Sequence, residues 1–227
     1  MRKANGRIMQ TDKASLEKLN VAVLIFPDVE VLDFAGPFEI FSRTRLVGGG
    51  ESRRSDASAP FSVFTIAKST APILATGGLA VTPKYSFQQH PAIDLLVVPG
   101  GYGTRALLED QETLAWISKA SAQARTTASV CTGSLLLTAA GVLKNQPATT
   151  HWGALSLLET LSQKHSANLQ VDHRRRVVDA GNGVITSAGV SSGIDMALYL
   201  VEQMFGAAVA DETAKYVEFR RTDAVVA

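Results

Sequence analysis

Cys131, the only cysteine of the chain, lies where a short strand-like run ends and a helix-like run begins. Residues 126–130 are small and β-competent, and residues 132–134 open an apolar segment that continues to Ala140. A nucleophile at such a bend is lifted clear of a sheet, and the N–H groups of the helix start face whatever the sulfur attacks. The helix dipole would also favour the thiolate. The alternative is a buried, inert thiol, because free cysteine is among the most buried residue types.

Two further candidates follow predicted strands. Asp33 comes after the apolar run 21–26 and is either a helix cap or a functional acid. Gly100 and Gly101 come after the apolar run 94–98, where glycines let the backbone approach a ligand and aim N–H groups at a developing negative charge. A plain turn is the alternative for this pair. Active sites of open α/β sheets lie at the carboxyl edge of the strands, so we expect both segments there.

His151 is the fourth candidate. It forms either a thiolate–imidazolium pair with the cysteine or a structural contact at the start of the next helix, under Trp152. The four histidines and the single cysteine show no metal-ligand spacing, so we expect no metal. The first strand is not followed by dinucleotide-binding glycine spacing, and the chain contains no phosphate-loop Gly-Lys-Ser/Thr motif. We therefore expect no cofactor.

The composition is that of an ordinary globular protein. The 227 residues are 46% hydrophobic and 19% charged, which predicts a single domain over 21–227 after a polar, flexible extension over 1–20. The net charge of +1 provides no strong field for nucleic acid or a membrane surface. No apolar run approaches the roughly 20 residues of a membrane span, and the extension is no secretory signal. A single cysteine excludes an internal disulfide and suits the reducing cytoplasm, where we expect the protein.

Strand-like and helix-like segments alternate along the chain. The predicted strands are 21–26, 61–67, 94–98, 126–130, 171–172, 176–179 and 184–187. The predicted helices are 31–41 (beginning properly near Pro37), 111–125, 135–140, 153–164, 191–205 and 210–221. Residues 43–60 combine glycines and charges without an apolar period, which predicts a solvated, mobile insertion. The alternation predicts an α/β fold in which helices cover a mostly parallel central sheet.

Five ordered segments together resemble the DJ-1/PfpI superfamily. They are DFAGPFE at 33–39, PGGYG at 99–103, SVCTGS at 129–134, ATTHW at 148–152 and TSAGVSSGID at 186–195. The resemblance covers about residues 21–218. Within the superfamily, the chain is most similar to members that hydrate isonitriles. It implies a flavodoxin-like, class I glutamine amidotransferase-like sandwich, usually a homodimer, with no cofactor.

The resemblance also implies roles for the candidate residues. Cys131 is implied to be the nucleophile, with Asp33 as an acidic partner hydrogen-bonded to its sulfur and Thr132 completing the catalytic set. Aspartate combined with Thr132 directly after the cysteine is the hydratase-like pairing, whereas protease-like and amidase-like relatives have histidine after the cysteine. The implied reaction is hydration of a small-molecule isonitrile to an N-substituted formamide through a thioimidate on Cys131.

Substrate binding and charge stabilisation are expected from the residues around the nucleophile. We assign them to Gly100, Gly101, Thr132 and His151, with the choice between a catalytic and a structural His151 left open. Their backbone N–H or side-chain groups would stabilise charge and position water. Partners other than the small-molecule substrate and a second copy of the chain are not expected.

Two rival functions would use the same superfamily fold. A DJ-1-like stress protein would act on glyoxals or sense oxidants through a low-pKa Cys131. Related domains also stand at the front of AraC-type transcription regulators. The tail after Phe205 is too short for two helix-turn-helix units and is not strongly basic, so we do not expect binding to nucleic acid.

Overall fold

A computed structural model describes residues 17–221. The strands are β1 Leu19–Leu24, β2 Phe61–Ala67, β3 Ile73–Leu74, β4 Ala80–Val81, β5 Tyr85–Ser86, β6 Leu95–Val98, β7 Thr126–Val130, β8 Pro147–Ala148, β9 Gln170–Val171, β10 Val177–Asp179 and β11 Val184–Ser187. The helices are α1 Val31–Arg43, α2 Thr104–Leu107, α3 Gln111–Gln123, α4 Gly133–Ala139, α5 Leu155–Lys164, α6 Ser192–Phe205 and α7 Ala207–Tyr216. Short 3₁₀ turns span Ser52–Arg54, Thr76–Gly78 and Trp152–Ala154.

A seven-stranded sheet forms the centre of the molecule, in the order β10-β11-β7-β6-β1-β2-β5. All neighbouring pairs are parallel except β10 and β11 at one edge. β3–β4 and β8–β9 form two small separate sheets. The strand that leads to Cys131, β7, lies in the interior of the main sheet between β6 and β11. The predicted α/β fold with a mostly parallel central sheet is confirmed.

Helices cover both faces of this sheet. Helices α1, α6 and α7 pack on one another, and α3, α4 and α5 form a second group. Strand β6 is buried along its whole length, as are residues 21–24 of β1. Strands covered on both faces have continuous apolar runs instead of alternating patterns. The same runs identified these strands in the sequence, and the layered sandwich is flavodoxin-like as predicted.

The first strand begins earlier than the sequence suggested. The extension was predicted to reach residue 20, but β1 already includes Leu19 and Asn20. The Leu19 N–H donates to the Pro60 carbonyl at 2.9 Å, and the Asn20 N–H donates to Asp94 Oδ2 at 2.9 Å. These long-range bonds extend the strand beyond its apolar run. Residues 1–16 of the predicted extension lie outside the described residues.

Helix α1 also corrects a prediction. It begins at Val31 and runs through Pro37, whereas the sequence suggested a start near the proline. Proline lacks the N–H that would bond four residues back, so this helical bond is missing. The helix is held instead by close packing on α6, because a Cβ at Gly36 would lie 3.0 Å from Ile194 Cγ1 and one at Gly193 would lie 3.3 Å from Pro37 Cγ. Tertiary contact therefore compensates for the interrupted hydrogen bonding.

The insertion 43–60 is exposed over 47–51 and 54–57, in line with the predicted solvated loop, but it is organised around a buried arginine that the sequence did not indicate. The Arg45 side chain is 1% exposed and donates to the carbonyls of Ser42, Thr44 and Ser55 at 2.9 to 3.0 Å. It also forms an ion pair with Asp56 at 2.6 Å. A composition without apolar periodicity does not reveal this arrangement, because the segment is organised by hydrogen bonds to its own backbone.

The last helix starts three residues before its predicted beginning at 210. Gly206 has a φ of 89° and separates α6 from α7, which therefore begins at Ala207 and ends at Tyr216. Only glycine adopts this backbone conformation without steric cost, so the chain turns within one residue. The predicted strand 171–172 lies in the small β8–β9 sheet at Gln170–Val171, apart from the main sheet.

Candidate active site

Cys131 occupies a sharp turn between β7 and α4. Its φ is 57°, in the left-handed region that non-glycine residues seldom adopt and that is typical of strained functional turns. The Cys131 N–H donates to the carbonyls of Ser187 and Ala188 at 3.2 and 3.1 Å, and its carbonyl accepts from Thr150 Oγ1 at 2.9 Å. These bonds fix the strained residue from both sides. The strand-turn-helix geometry expected from the sequence is therefore present.

Glycine at position 133 allows this turn to pack against the neighbouring strand. A Cβ at Gly133 would lie 2.0 Å from the Val98 carbonyl oxygen. Because the obstacle is the backbone of a central strand, it cannot move away as a flexible side chain could. The close approach of α4 to the end of β6 therefore requires glycine.

We expect Gly133→Ala to lower the free energy of unfolding by at least about 2 kcal/mol, since overpacking against a rigid neighbour costs on the order of 1–3 kcal/mol. Urea or thermal unfolding of the purified variant measures this change. Gly50→Ala is the matched control, because a Cβ there meets nothing within 4 Å. Equal stability of the two variants would contradict the proposed backbone contact.

Asp33 lies in the first turn of α1 and is fully buried. Its Oδ2 accepts a hydrogen bond from the Gly100 N–H at 2.9 Å, so the carboxyl bonds to a neighbouring strand end and not to the N–H groups of its own helix. Within residues 17–221, Oδ1 has no hydrogen-bond partner. The arrangement does not match the helix-cap alternative, and it leaves one carboxyl oxygen available for a proton.

The Asp33 carboxyl and the Cys131 thiol interact, and both favour their protonated forms. Burial raises the pKa of Asp33 to about 7, although hydrogen bonds from the Gly100 N–H and the Cys131 thiol stabilise the carboxylate and oppose the rise. Burial and the nearby Asp33 charge raise the pKa of Cys131 to about 12, although the Thr132 N–H opposes the shift. This corrects the expectation of a thiolate favoured by the helix dipole, because desolvation outweighs the dipole at this site.

Gly100 and Gly101 orient side chains. The Gly100 N–H is engaged by Asp33, and the Gly101 N–H donates to Thr132 Oγ1 at 3.0 Å. The sequence had suggested that these N–H groups face a developing negative charge. Both are instead engaged by side chains. The N–H group that acts on the sulfur is that of Thr132, directly after the nucleophile, where it lowers the pKa of Cys131.

His151 has no hydrogen bond to Cys131 among the described residues. Its Nδ1 accepts from the Gly153 N–H at 3.1 Å. The ring also packs closely on Gly189, where a Cβ would lie 2.2 Å from His151 Cδ2. The geometry matches the structural alternative for this residue, which also forms part of the wall around the cysteine.

A cavity of about 300 Å³ opens directly over the nucleophile. Its lining residues come from the segments that follow β1, β6, β7, β8 and β11: Glu30, Gly101, Tyr102, Arg105, Cys131, Thr132, His151, Gly153, Ala154 and Val190. Cys131 is 7% exposed, so its sulfur lies at the base of this cavity and not in a sealed core. The sequence expectation that these segments meet at one sheet edge is met.

Val190 is a site residue that the sequence did not single out. It lines the cavity and has a φ of 54°, a conformation that is a genuine outlier for a β-branched residue. Its N–H lies close enough to Asp33 to lower the pKa of that carboxyl. The available signal was its place in the loop after β11, because β11 lies next to β7 in the sheet.

An ion pair supports the turn that contains Val190. Arg176 donates to Asp195 Oδ2 at 2.6 and 2.9 Å and to Ser191 Oγ at 3.2 Å. The Arg176 carbonyl accepts from the Ala188 N–H at 2.8 Å. Both ends of the strained turn are thus tied to Arg176.

In the part of the chain that the structure describes, no group of three His, Cys, Asp or Glu side chains lies together in a way that could hold a metal ion. None of the helices in residues 17–221 combines the length and the apolar character that crossing a bilayer requires.

Comparison with known proteins decides the family. Residues 19–203 match the sequence profile of the DJ-1/PfpI family. The chain belongs to this family. It is 36% identical over 203 residues to the isonitrile hydratase of Pseudomonas putida, an alignment that covers 89% of this chain and 77% of that protein.

Solved structures of the family share the fold. A ThiJ/PfpI family protein from Pseudomonas syringae superposes with a TM-score of 0.77 at 29% identity, covering 96% of this chain and 83% of that one. DJ-1beta of Drosophila melanogaster superposes with a TM-score of 0.71 at 18% identity, covering 90% of this chain and 100% of that one.

The transcriptional regulator GbdR of Pseudomonas aeruginosa is 29% identical over 134 residues, which cover 59% of this chain and only 35% of the regulator.

Proposed function

We propose that this DJ-1/PfpI family member hydrates isonitriles to N-substituted formamides without a cofactor, as an isonitrile hydratase-like lyase. The observation that carries the proposal is the buried pair of Asp33 and Cys131, which interact at the base of an open cavity. An isonitrile carbon must gain both a nucleophile and a proton, and this pair supplies both from one place. The 36% identity to an isonitrile hydratase supports the same reaction.

The first step uses the singly protonated pair. The remaining proton lies mainly on the sulfur, because the pKa of Cys131 is raised to about 12 and that of Asp33 to about 7. The Asp33 carboxylate takes this proton as the sulfur attacks the terminal carbon, and then delivers it to that carbon. A C–S bond and a C–H bond form, and the product is a thioimidate, R–N=CH–S–Cys131. Asp33 is left as a carboxylate, so the total charge of the site is unchanged.

The second step consumes water. The Asp33 carboxylate takes a proton from water as the oxygen adds to the thioimidate carbon, and it passes this proton to the substrate nitrogen. The C–S bond then breaks as the hydroxyl group of the tetrahedral carbon gives its proton to Asp33, so that this carbon becomes the formamide carbonyl and the sulfur leaves with its electron pair. The product is R–NH–CHO, and the shared proton is restored to the pair. General acid–base transfer of this kind contributes on the order of 10² to 10⁴ in rate.

The neighbouring residues support these steps. The Thr132 N–H stabilises negative charge on the sulfur during attack and departure, and the Gly100 N–H holds the Asp33 carboxyl in place. The Gly101 N–H holds the Thr132 hydroxyl, which we propose positions the attacking water. His151 contributes a wall of the substrate cavity. The residues are those named from the sequence. The N–H groups of Gly100 and Gly101 contribute by holding the side chains of Asp33 and Thr132 and do not contact the substrate in this proposal.

The direct test uses purified protein and cyclohexyl isocyanide, with N-cyclohexylformamide measured over time by chromatography. The proposal expects turnover by the wild-type protein without added metal or cofactor. A wild-type protein that forms no formamide from cyclohexyl, phenyl or methyl isocyanide would refute the proposed function.

We expect kcat/KM for isonitrile hydration to rise with pH through an apparent pKa near 7 and to level off above it. Below this pKa both groups of the pair are protonated and Asp33 cannot accept the thiol proton, whereas above it the pair holds one proton and the Asp33 carboxylate can act as the base. Initial rates from pH 5 to 9 at low substrate concentration measure the profile. A rate that falls as the pH rises from 6 to 8 would contradict the singly protonated pair as the active form.

A glyoxal-converting, DJ-1-like activity is the second candidate, because solved DJ-1 proteins share the fold. Oxidant sensing is less well supported, since redox-sensor cysteines have low pKa values and burial raises the pKa of Cys131. Loss of methylglyoxal from the reaction, measured beside isonitrile turnover, separates the two enzymatic functions. Methylglyoxal conversion without isonitrile conversion would favour the second candidate.

The organisation of the protein is proposed with the same function. We propose one domain from Leu19, the first residue of β1, through residue 227, a homodimer and a cytoplasmic location, with no nucleic-acid partner. Light scattering coupled to size-exclusion chromatography tests the dimer, for which a single mass near twice that of the 24.1 kDa chain is expected.

A further inference from the structure

Two aromatic side chains stand exposed beside the cavity over Cys131. Tyr102 is 72% exposed and Trp152 is 80% exposed. The other tryptophan, Trp116, is 9% exposed and stacks on Phe87 with a centroid distance of 4.2 Å. Large aromatic rings are highly buried on average, so an exposed pair of them near a cavity indicates a binding role.

Both rings are attached to segments that form the cavity wall. Tyr102 lines the cavity itself, next to Gly101. Trp152 stands between His151 and Gly153, which both line it, and its ring centroid lies 5.2 Å from that of His151. Tyr102 therefore lies on the cavity wall and Trp152 on the segment directly beside it, whereas Cys131 lies at the base.

An arginine adds to the same cavity wall. The Arg105 guanidinium lies 5.2 Å from the centroid of the Tyr102 ring and donates to the Gly101 carbonyl at 3.4 Å. Among residues 17–221 it has no carboxylate within ion-pair distance. A cation placed over an aromatic face is attracted by the ring, so Arg105 helps to orient Tyr102.

The shape of the substrate connects the base of the cavity to its rim. An isonitrile is linear at its C–N–R unit, so a terminal carbon at the Cys131 sulfur directs the N-substituent away from the base. Among residues 17–221, the cavity over the nearly buried sulfur leaves room for this substituent toward its mouth. Flat aromatic substituents stack favourably on aromatic rings, which small alkyl groups cannot match.

We propose that Tyr102 and Trp152 bind the N-substituent of the substrate, so that the site favours aryl isonitriles over small alkyl isonitriles. This inference rests on the proposed isonitrile hydration. The contact with the substituent persists from the bound substrate to the transition state, so it acts as uniform binding and appears mainly in KM.

Kinetics with phenyl isocyanide and methyl isocyanide test the preference. We expect the ratio of kcat/KM for phenyl over methyl isocyanide to fall by about two- to tenfold in Trp152→Ala and in Tyr102→Ala, mainly through a higher KM for the phenyl substrate. Trp152→Phe should keep most of the wild-type ratio, because it retains an aromatic face. An unchanged ratio in both alanine variants, with wild-type turnover intact, overturns the inference while leaving the proposed function standing.

A control variant removes the same kind of exposed apolar surface elsewhere. Leu74 is 61% exposed on the small β3–β4 hairpin and does not line the cavity. Leu74→Ala should keep the wild-type ratio for the two isonitriles. If Leu74→Ala lowers the ratio as much as Trp152→Ala does, the effect is one of general surface change and the inference is wrong.

Fluorescence tests binding without depending on turnover. The chain has two tryptophans, one exposed and one buried, so the emission of Trp152 can be isolated by comparison with Trp152→Phe. N-phenylformamide, the product of the phenyl substrate, should change the wild-type emission, whereas N-methylformamide at the same concentration should not. Trp152→Phe should show no change with either compound.

The two readouts separate the failure of each proposal. If the wild-type protein hydrates no isonitrile but N-phenylformamide still changes the Trp152 emission selectively, the aryl site stands and the proposed reaction fails. If N-phenylformamide leaves the emission unchanged up to its solubility limit, the aryl site is refuted whatever the enzyme turns over.

Discussion

Cys131→Ala should abolish formamide formation, with a loss in kcat on the order of 10⁴ to 10⁶, as is typical when an enzyme loses its nucleophile. Without the sulfur, no thioimidate can form, and the remaining carboxyl has no covalent route to the product. The fold should survive, because the turn is held by backbone bonds to Ser187 and Ala188 and by Thr150. Formamide production from cyclohexyl isocyanide measures the loss.

Cys131→Ser is the matched variant, since it keeps the shape of the side chain and replaces the thiol with a far weaker acid. It should lose nearly as much activity as the alanine variant. Mass spectrometry of acid-quenched wild-type protein should show an adduct that adds the mass of one isonitrile and is absent from both variants. Turnover by Cys131→Ala at more than a tenth of the wild-type rate would refute nucleophilic catalysis by this residue.

Asp33→Asn should lower kcat by about 10² to 10⁴, because the amide cannot carry the proton that the isonitrile carbon receives. The amide oxygen can still accept the Gly100 hydrogen bond, so the side chain should keep its place. Measured rates across pH 5 to 9 should also lose the inflection near 7 that belongs to the pair. Asp33→Glu should retain the interaction with the thiol but misplace the proton, so a near-native rate in that variant would contradict the proposed geometry.

Asp33→Asn should also raise the free energy of unfolding at neutral pH. A buried aspartate whose folded-state pKa lies near 7 stabilises the native protein most at low pH, and this contribution is lost as the pH rises from about 4 to about 7. Because one pKa unit corresponds to about 1.4 kcal/mol, the loss amounts to up to about 4 kcal/mol. The amide of Asp33→Asn does not titrate, so the variant does not lose this contribution. Its free energy of unfolding should therefore increase relative to that of the wild-type protein as the pH rises through this interval.

Urea unfolding of both proteins at pH 4.5, 6 and 7.5 measures the difference. The expected result is a gap that widens in favour of Asp33→Asn as the pH rises. Parallel stability curves would show that Asp33 is not held in its protonated form by burial. Activity and stability therefore respond to pH in opposite directions, as expected when an enzyme retains a destabilising group for its chemistry.

The sequence was sufficient for the features that depend on local patterns. The continuous apolar runs of β1 and β6 show that both faces of the sheet are covered, and the change from a strand pattern to a helix pattern placed Cys131 at a turn. The order of the five family segments identified the fold. Because parallel strands bring their carboxyl ends to one edge, the approximate meeting of Asp33 with Cys131 also followed from the pattern.

Only the tertiary structure decided the protonation states and the hydrogen-bond partners at the site. A helix start beside a cysteine suggests a thiolate, but the pKa of Cys131 is raised because desolvation and the Asp33 charge depend on all the elements packed around the sulfur. The N–H groups of Gly100 and Gly101 were expected to face the substrate, yet they bond to Asp33 and Thr132.

The remaining differences have the same origin. Helix α1 continues through Pro37 because α6 packs closely against it, and Arg45 is buried because backbone carbonyls of its own loop surround the guanidinium. Val190 joins the site only because the turn after β11 folds back beside Asp33. Local sequence determines which segments form strands, helices and turns, whereas solvent exclusion and the pairing of polar groups arise only when these segments pack together.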